Sequence, residues 1–266
     1  MNPELVLVTS DMFVPQRSQD IDPQFKTILI PNKLQHVLSL GNIGSRESYD
    51  WLRSLSNDFH SVKGDFDEDE MPEKKVVQIG EFKIGMIHGH QVIPWGNIEA
   101  LGSVQRELDC DILLYGNTHE VNVKVVDNKL YINPGSISGT FSNCIADPSP
   151  SFVLMVLQGS EAIIYLYILN DRTQKFDVNK IEFTKGAENY RIVNDNENEN
   201  ENEEENKEEN QGEEQPQEMQ DQPPQEEKEI QKRFKRDSKH EYKRVEYGKE
   251  DMKKYLFEHE KKGKFK

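Results

Sequence analysis

The sequence predicts an α/β fold in which two packed β-sheets are flanked by helices. Three observations carry this prediction: short apolar runs that end at polar residues, amphipathic segments between those runs, and apolar pairs separated by turn residues in the second half of the chain. Strands that alternate with helices are typical of an α/β sheet, and strands joined by tight turns are typical of hairpins. The two patterns together predict one domain that ends close to residue 188.

The first half of the chain contains five short apolar runs that predict strands. They show little alternation between apolar and polar residues, which is typical of strands that are buried on both faces. The runs are residues 5–8, 37–40, 61–63, 82–87 and 112–115.

Two amphipathic segments between these runs predict helices. Residues 45–57 place apolar side chains on one stripe, and Ser45 stands where an N-cap is expected. Residues 97–108 repeat the pattern with Asn97 in the capping position. Both helices are expected to cover the outside of the sheets.

The second half of the chain predicts two hairpins and a last strand. Asp127 and Asn128 separate one pair of apolar segments, and Gly159 and Ser160 separate another. These residue types favour tight turns. The predicted strands are residues 123–126 with 130–132, residues 152–157 with 163–169, and residues 181–183.

Composition excludes several classes of function. The formal net charge of −16 argues against a nucleic-acid-binding fold, because phosphate contacts dominate such binding. Cys110 and Cys144 are the only cysteines, and no signal-peptide pattern precedes the first apolar run, so we expect reduced thiols in a cytosolic protein. No uncharged apolar stretch approaches the length of a membrane span, so membrane association is expected to be indirect.

The C-terminal part has a different composition. Residues 189–229 are rich in Glu, Asn, Gln and Pro and predict an acidic disordered linker. Residues 230–266 regain apolar residues among many lysines and predict a basic tail that is partly helical at most. Two interpretations stay open for this tail: a solvated segment, or a helix that docks on a partner or on anionic lipid.

Five polar residues follow the five predicted strands, most of them just after a small residue. In open α/β sheets, ligands bind beyond the carboxyl ends of the strands, so these side chains are expected to converge in one crevice. Any one of them alone would be ordinary turn or cap chemistry. Together, their oxygen and imidazole groups suit manganese, iron or zinc in a phosphoester-hydrolysing site. They are Asp11, Asn42, Asp65, His88 and His119.

The order of these motifs resembles that of the calcineurin-like metallophosphoesterases. That family orders its motifs Asp-x-His, Gly-Asp-x-x-Asp, Gly-Asn-His-Asp/Glu, Gly-x-x-His and Gly-His-x-His. Only the fourth motif is intact in this chain. The corresponding segments are Asp11-Met12-Phe13, Gly41-Asn42, Gly64-Asp65-Phe66-Asp67, Gly85-Met86-Ile87-His88 and Gly116-Asn117-Thr118-His119.

The resemblance implies a degenerate metallophosphoesterase rather than an enzyme. Asn42 stands at the position of the carboxylate that bridges two metal ions, and Phe13 and Asn117 replace ligand histidines. Two divalent ions about 3.7 Å apart repel by roughly 18 kcal/mol at an effective dielectric of about 20, and a neutral amide offsets little of this. Phe66 replaces the family's proton-donating histidine and has no titratable proton. No cofactor is expected to be required, and the five polar residues would hold at most one weakly bound Zn or Mn ion.

A closer resemblance is to the small metallophosphoesterase-fold subunit of retromer, the vacuolar protein sorting complex on endosomes. It extends from residue 4 to about residue 186, whereas the tail has no counterpart. The segments that carry it are Lys83-Ile84-Gly85, Gly64-Asp65-Phe66-Asp67-Glu68, His88-Gly89-His90-Gln91-Val92-Ile93-Pro94-Trp95-Gly96, Tyr131-Ile132-Asn133-Pro134-Gly135-Ser136 and Pro150-Ser151-Phe152-Val153-Leu154-Met155.

This resemblance implies a scaffold for endosome-to-Golgi retrograde and recycling transport of cargo. The protein would be cytoplasmic and peripheral on endosomal membranes, with its old active-site face covered by the large α-solenoid subunit of retromer. An apolar patch on the opposite side would recruit other subunits and regulators. A residual metal-dependent phosphodiesterase is the alternative.

Two apolar sets are candidates for these contacts. Each also has a plainer interpretation as core packing, since apolar residues dominate both protein interiors and the centres of interfaces. The set predicted to bind the α-solenoid subunit is Val92, Ile93, Pro94 and Trp95, and the predicted regulator patch is Leu154, Tyr165 and Tyr167.

Overall fold

The computed structural model describes residues 2–29, 33–170, 173–186, 190–193 and 246–247. The predictions of an acidic linker at 189–229 and a basic tail at 230–266 therefore lie outside the described residues, apart from the backbone of 190–193 and 246–247. The domain boundary at residue 188 stays a prediction.

The described elements are three helices and thirteen strands. In chain order they are β1 (Glu4–Thr9), α1 (Pro23–Ile28), β2 (His36–Ser39), α2 (Arg46–Leu55), β3 (Asp58–Ser61), β4 (Lys74–Ile79), β5 (Phe82–Ile87), α3 (Ile98–Leu108), β6 (Ile112–Leu114), β7 (Val121–Val126), β8 (Lys129–Pro134), β9 (Ser151–Gln158), β10 (Glu161–Asn170), β11 (Lys175–Thr184), β12 (Tyr190–Val193) and β13 (Glu246–Tyr247).

The strands form two mixed sheets. The first sheet runs in the order β12-β11-β10-β9-β1-β2-β3, and β13 pairs with β11 at Phe176 and Asp177. Within it β1, β2 and β3 are parallel, while β9, β10, β11 and β12 pair antiparallel. The second sheet runs in the order β4-β5-β6-β8-β7 and has parallel pairing through β5, β6 and β8.

Packing on both faces explains why the strand sequences do not alternate between apolar and polar residues. Val6 and Val8 of β1 join the core cluster that contains Ile84 and Met86 of the second sheet, so they lie between the two sheets. Leu7, on the opposite face of β1, joins the cluster that contains Phe25 of α1 and residues of α2. Both faces of β1 are therefore buried. A third cluster packs α3 against the second sheet, which completes a sandwich of two sheets between helices.

Ser45 and Asn97 cap helices α2 and α3, as the sequence predicts. The Ser45 side chain accepts a hydrogen bond from the Ser48 backbone N–H at 3.2 Å, and Asn97 Oδ1 accepts one from Ala100 N–H at 2.9 Å. Both caps satisfy amide groups that have no partner inside the helix. No helix among the described residues is long and apolar enough to cross a membrane.

Candidate functional site

The five predicted site residues lie together where five strands end. Asp11, Asn42 and Asp65 follow the parallel strands β1, β2 and β3, while His88 and His119 follow β5 and β6 of the other sheet. The site therefore lies between the two sheets at the carboxyl ends of their parallel strands. Asp11, Asn42, His88 and His119 are buried, whereas the Asp65 side chain is 38% exposed.

The Asn42 side chain lies at the centre of this group. Its Nδ2 lies 3.2 Å from Asp11 Oδ1, 2.9 Å from Asp65 Oδ1 and 3.0 Å from His88 Nε2. The Phe66 backbone N–H donates to Asn42 Oδ1 at 3.0 Å, which fixes the orientation of the amide. The amide N–H groups therefore point at the two carboxylates.

His88 is held from behind by the main chain. Its Nδ1 donates to the Leu40 carbonyl oxygen at 2.6 Å, so its Nε2 faces Asp65 and Asp11 at 3.3 and 3.7 Å. Burial lowers the pKa of His88, but the charge of Asp11 and the hydrogen bond with Asp65 raise this pKa by more, and the net shift is upward.

Asp11 is buried, and both of its carboxylate oxygens have hydrogen-bond partners. Its Oδ2 accepts hydrogen bonds from Ser10 Oγ at 2.7 Å and from the Asn117 backbone N–H at 2.9 Å, and His119 Nε2 lies 3.3 Å from its Oδ1. Burial raises the pKa of Asp11, but the charge of His88 and the hydrogen bonds from His119 and Ser10 outweigh it, so the net pKa is lowered. Asp65 also has a lowered pKa: burial opposes the shift, and hydrogen bonds from His88 and Asn42 dominate.

Aromatic rings occupy positions where the resemblance implies histidines. Phe13 is buried, and its ring centroid lies 5.6 Å from that of His119 and 5.3 Å from that of Phe66. Phe66 is 60% exposed at the rim of the site, and the Arg17 guanidinium lies 3.9 Å from the Phe13 ring and 4.6 Å from the Phe66 ring. This side of the site is an aromatic surface that offers no ligand atoms.

Asn117 does not replace the missing histidine. Its backbone N–H serves Asp11, but its side-chain Nδ2 is buried and has no hydrogen-bond partner among the described residues. His119 donates from Nδ1 to the Thr140 carbonyl oxygen at 2.5 Å, so it presents only Nε2 to the site.

The main chain of the site adopts an uncommon conformation at several positions. Five non-glycine residues here have positive φ angles, which are unusual for L-residues and concentrate at functional sites. They are Asp11 (53°), Phe13 (49°), Asn42 (54°), Asn117 (68°) and His119 (63°).

One residue of the site was missed by the sequence analysis. The group among the described residues whose ligand atoms could hold a metal ion is Asp65, His88 and His90, with these atoms all within 4.8 Å of one another. His90 is half-buried, and the charge of the neighbouring His88 adds to burial in lowering its pKa. The signal was present in the His88-Gly89-His90 spacing, but the family motif assigns a role only to the first histidine.

Asp65, His88 and His90 offer a donor set for one metal ion. The Asn42 amide nitrogen faces Asp11 and Asp65, and Phe13 and Asn117 supply no imidazole. One carboxylate and two imidazoles at Asp65, His88 and His90 are a typical zinc ligand set.

An exposed apolar loop follows His90. Val92 is buried in the core cluster around α3, while Ile93 is 80% exposed, Trp95 is 42% exposed, and Pro94 is exposed between them. Trp95 Nε1 donates to the His90 carbonyl oxygen at 3.2 Å. The loop therefore exposes apolar side chains directly beside the site, while Val92 fixes it to the core.

The second predicted apolar set is in a different environment. Leu154, Tyr165 and Tyr167 are all buried within the cluster on the helix-covered face of the first sheet. The Tyr167 ring stacks on Phe152 with centroids 4.8 Å apart. Their burial favours the core-packing interpretation, and their role as a regulator patch stays a prediction.

Comparison with known proteins agrees with this geometry. The profile of the calcineurin-like phosphoesterase superfamily domain matches residues 5–159. The vacuolar protein sorting-associated protein 29 of Schizosaccharomyces pombe is 38% identical over 186 residues, which cover 67% of this chain and 100% of that protein.

Solved structures extend the likeness to the fold. Vacuolar Protein Sorting 29 from Cryptosporidium parvum has 39% identity and a TM-score of 0.66 over 70% of this chain and 100% of that one. Wild-type Vps29 from Entamoeba histolytica, solved in complex with Zn²⁺, has 46% identity and a TM-score of 0.64 over 68% of this chain and 99% of that one. These likenesses confirm the predicted fold class and the predicted family. The chain belongs to the Vps29 family of the calcineurin-like phosphoesterase superfamily.

Proposed function

We propose that this protein is a non-enzymatic scaffold subunit of retromer. It docks on the large α-solenoid subunit through the face that carries the site, and it serves endosome-to-Golgi retrograde and recycling transport of cargo. It is cytoplasmic and reaches endosomal membranes through the complex. The observation that carries the proposal is the amide of Asn42, whose Nδ2 lies within 3.2 Å of two carboxylates and an imidazole that would otherwise face metal ions.

The chemistry of the site supports a non-catalytic role. Hydrolysis of a phosphoester by two metals needs both charges compensated and a proton supplied to the leaving group. Asn42 has no charge to offset the repulsion between two ions, and Phe66 has no proton to donate. Asp11, Asp65 and His88 already contact the Asn42 amide, which occupies the space between them.

The exposed loop supports docking through this face. Aromatic and large apolar residues dominate the buried centres of protein interfaces, where a few of them carry most of the binding energy. Ile93 and Trp95 present such side chains beside the site, and the exposed ring of Phe66 extends the apolar surface along its rim. Because Val92 anchors the loop in the core, docking would require little ordering of the chain.

Charge placed in this loop is expected to disrupt the complex. Ile93→Asp and Trp95→Asp should each weaken co-purification with the α-solenoid subunit by at least about tenfold, since a buried unpaired carboxylate at an interface centre costs several kcal/mol. Val126→Asp is the matched control, because Val126 is an exposed apolar residue on β7, which β6 and β8 separate from β5, the strand before this loop. Wild-type binding by both loop variants would remove the loop from the interface.

A residual phosphodiesterase is the second candidate, favoured by the surviving group Asp65, His88 and His90. We expect wild-type protein to show no manganese-dependent hydrolysis of a chromogenic phosphodiester above the level of His88→Ala. Hydrolysis that rises with manganese and is lost in His88→Ala would establish an enzyme and refute the scaffold-only proposal.

A further inference from the structure

We propose that Asp65, His88 and His90 form a single zinc site whose ligands differ from those that the family motifs imply. The motif positions would use Asp11, Asn42 and His119 as well. His90 has no role in those motifs, and here it is the third ligand. The proposal concerns this chain's own side chains and does not depend on docking to a partner.

The distances suit one small cation. The candidate ligand atoms of the three residues all lie within 4.8 Å of one another, and His88 Nε2 lies 3.3 Å from Asp65 Oδ1. Two ligands bound to tetrahedral zinc at about 2.1 Å lie roughly 3.4 Å apart, so this pair needs almost no movement. The ring centroids of His88 and His90 lie 5.3 Å apart at an interplanar angle of 48°.

The surroundings of the His90 Nδ1 atom also support a role for His90 as a metal ligand. Its Nδ1 is buried and has no hydrogen-bond partner among the described residues, whereas most buried polar atoms in proteins are hydrogen-bonded. Some ligand is therefore expected in this region of the His90 ring. A zinc ion held by the ring would account for an imidazole kept here without hydrogen bonds.

The supporting contacts are those of a metal site. His88 donates from Nδ1 to the Leu40 carbonyl oxygen, which directs Nε2 towards the ion, as is usual for zinc-bound histidines. The His90 main chain is held by the Trp95 indole, which donates to its carbonyl oxygen. Asp65 is partly exposed, so an ion and a water molecule can enter from solvent.

The other half of the inherited site is closed to a metal ion. Asp11 is fully buried, and its two oxygens contact Ser10, Asn42, His119 and the main chain of Asn117. His119 packs against the Phe13 ring rather than against a second imidazole. Among the described residues, neither Asp11 nor His119 belongs to the group with metal-ligand spacing.

The ligand chemistry selects zinc over harder ions. Imidazole nitrogens suit zinc and later transition metals, while magnesium and calcium prefer oxygen ligands throughout. Two imidazoles and one carboxylate leave the fourth position of a tetrahedral ion to water.

Zinc affinity of ligand variants tests the proposal in the full-length, metal-stripped protein. Competition with a chromophoric chelator should show that His90→Gln and Asp65→Asn each weaken Zn²⁺ binding by at least about tenfold. His119→Gln is the matched control and should stay within about threefold of wild type. X-ray absorption of the wild-type zinc complex should show two imidazole ligands. Thermal melting of the metal-free variants checks folding, and the exposed Asp65 makes Asp65→Asn the variant least able to disturb it.

Two results would overturn the proposal. Unchanged affinity in His90→Gln with a large loss in His119→Gln would mean that the family's ligand set binds the ion. Unchanged affinity in both His90→Gln and Asp65→Asn would place bound zinc elsewhere in the chain.

Discussion

Gly41→Ala is expected to lower the free energy of unfolding by about 2–5 kcal/mol, from left-handed strain of roughly 1–2 kcal/mol and steric overlap of roughly 1–3 kcal/mol. Gly41 has a φ of +95°, which L-residues with a side chain rarely adopt. A Cβ atom there would lie 2.4 Å from the Gly64 backbone nitrogen and 2.9 Å from both Gly64 Cα and the Val62 carbonyl oxygen. All three atoms belong to the main chain, so no side-chain rotation relieves the overlap.

The control for this substitution is Gly80→Ala. Gly80 also has a positive φ, +54°, but a Cβ atom there would meet nothing within 4 Å. It should therefore lose only the conformational part, about 1–2 kcal/mol. Urea denaturation of both variants separates the two contributions. Equal losses would contradict the idea that the close approach of the β2 and β3 ends is what excludes a side chain at Gly41.

Asp67→Asn is expected to lower the free energy of unfolding by about 2–4 kcal/mol, because hydrogen bonds to a charged group contribute roughly 1.5–3 kcal/mol each and part of this set survives. The Asp67 carboxylate accepts hydrogen bonds from the backbone N–H groups of Asn42 at 2.7 Å, Ile43 at 3.0 Å and Gly64 at 2.9 Å. Asparagine has nearly the same shape, but it would turn one acceptor into a donor that faces other donors. Thermal or urea unfolding measures the loss.

Asp69→Asn makes the same change of charge at an exposed position two residues away and should stay within about 0.5 kcal/mol of wild type. A similar loss in both variants would mean that net charge, rather than the three backbone hydrogen bonds, is responsible. If Asp67→Asn also weakens zinc binding, the carboxylate holds the loops at the site as well as the fold.

The sequence patterns predicted strands that are buried on both faces, such as β1. The run at β1 is apolar at every central position because Leu7 packs under the helices while Val6 and Val8 pack between the sheets. β4 was missed, since its sequence Lys74–Ile79 carries two lysines and a glutamine at the sheet edge. α1 was missed because its six residues are too few for a visible helical period, although Asp22 caps it and Pro23 begins it.

The site was predicted as a set of residues but not as an arrangement. Residues that follow parallel strands of one sheet meet at one edge, and Asn42 Nδ2 lies 3.2 Å from Asp11 Oδ1 and 3.0 Å from His88 Nε2. No pattern indicates which atom of the Asn42 amide faces inward, because that depends on the Phe66 N–H, a main-chain donor from another loop. The participation of His90 depends on loop geometry for the same reason.

The left-handed main chain at the site has a further consequence. The main chain at Asp11, Asn42 and His119 has positive φ angles, and these turns place the three side chains in the site. The backbone has the fold of the calcineurin-like phosphoesterase superfamily, so the chemistry of the site depends on the few side chains that these turns carry. Point substitutions at these turns can therefore change the chemistry of the site without any change of topology.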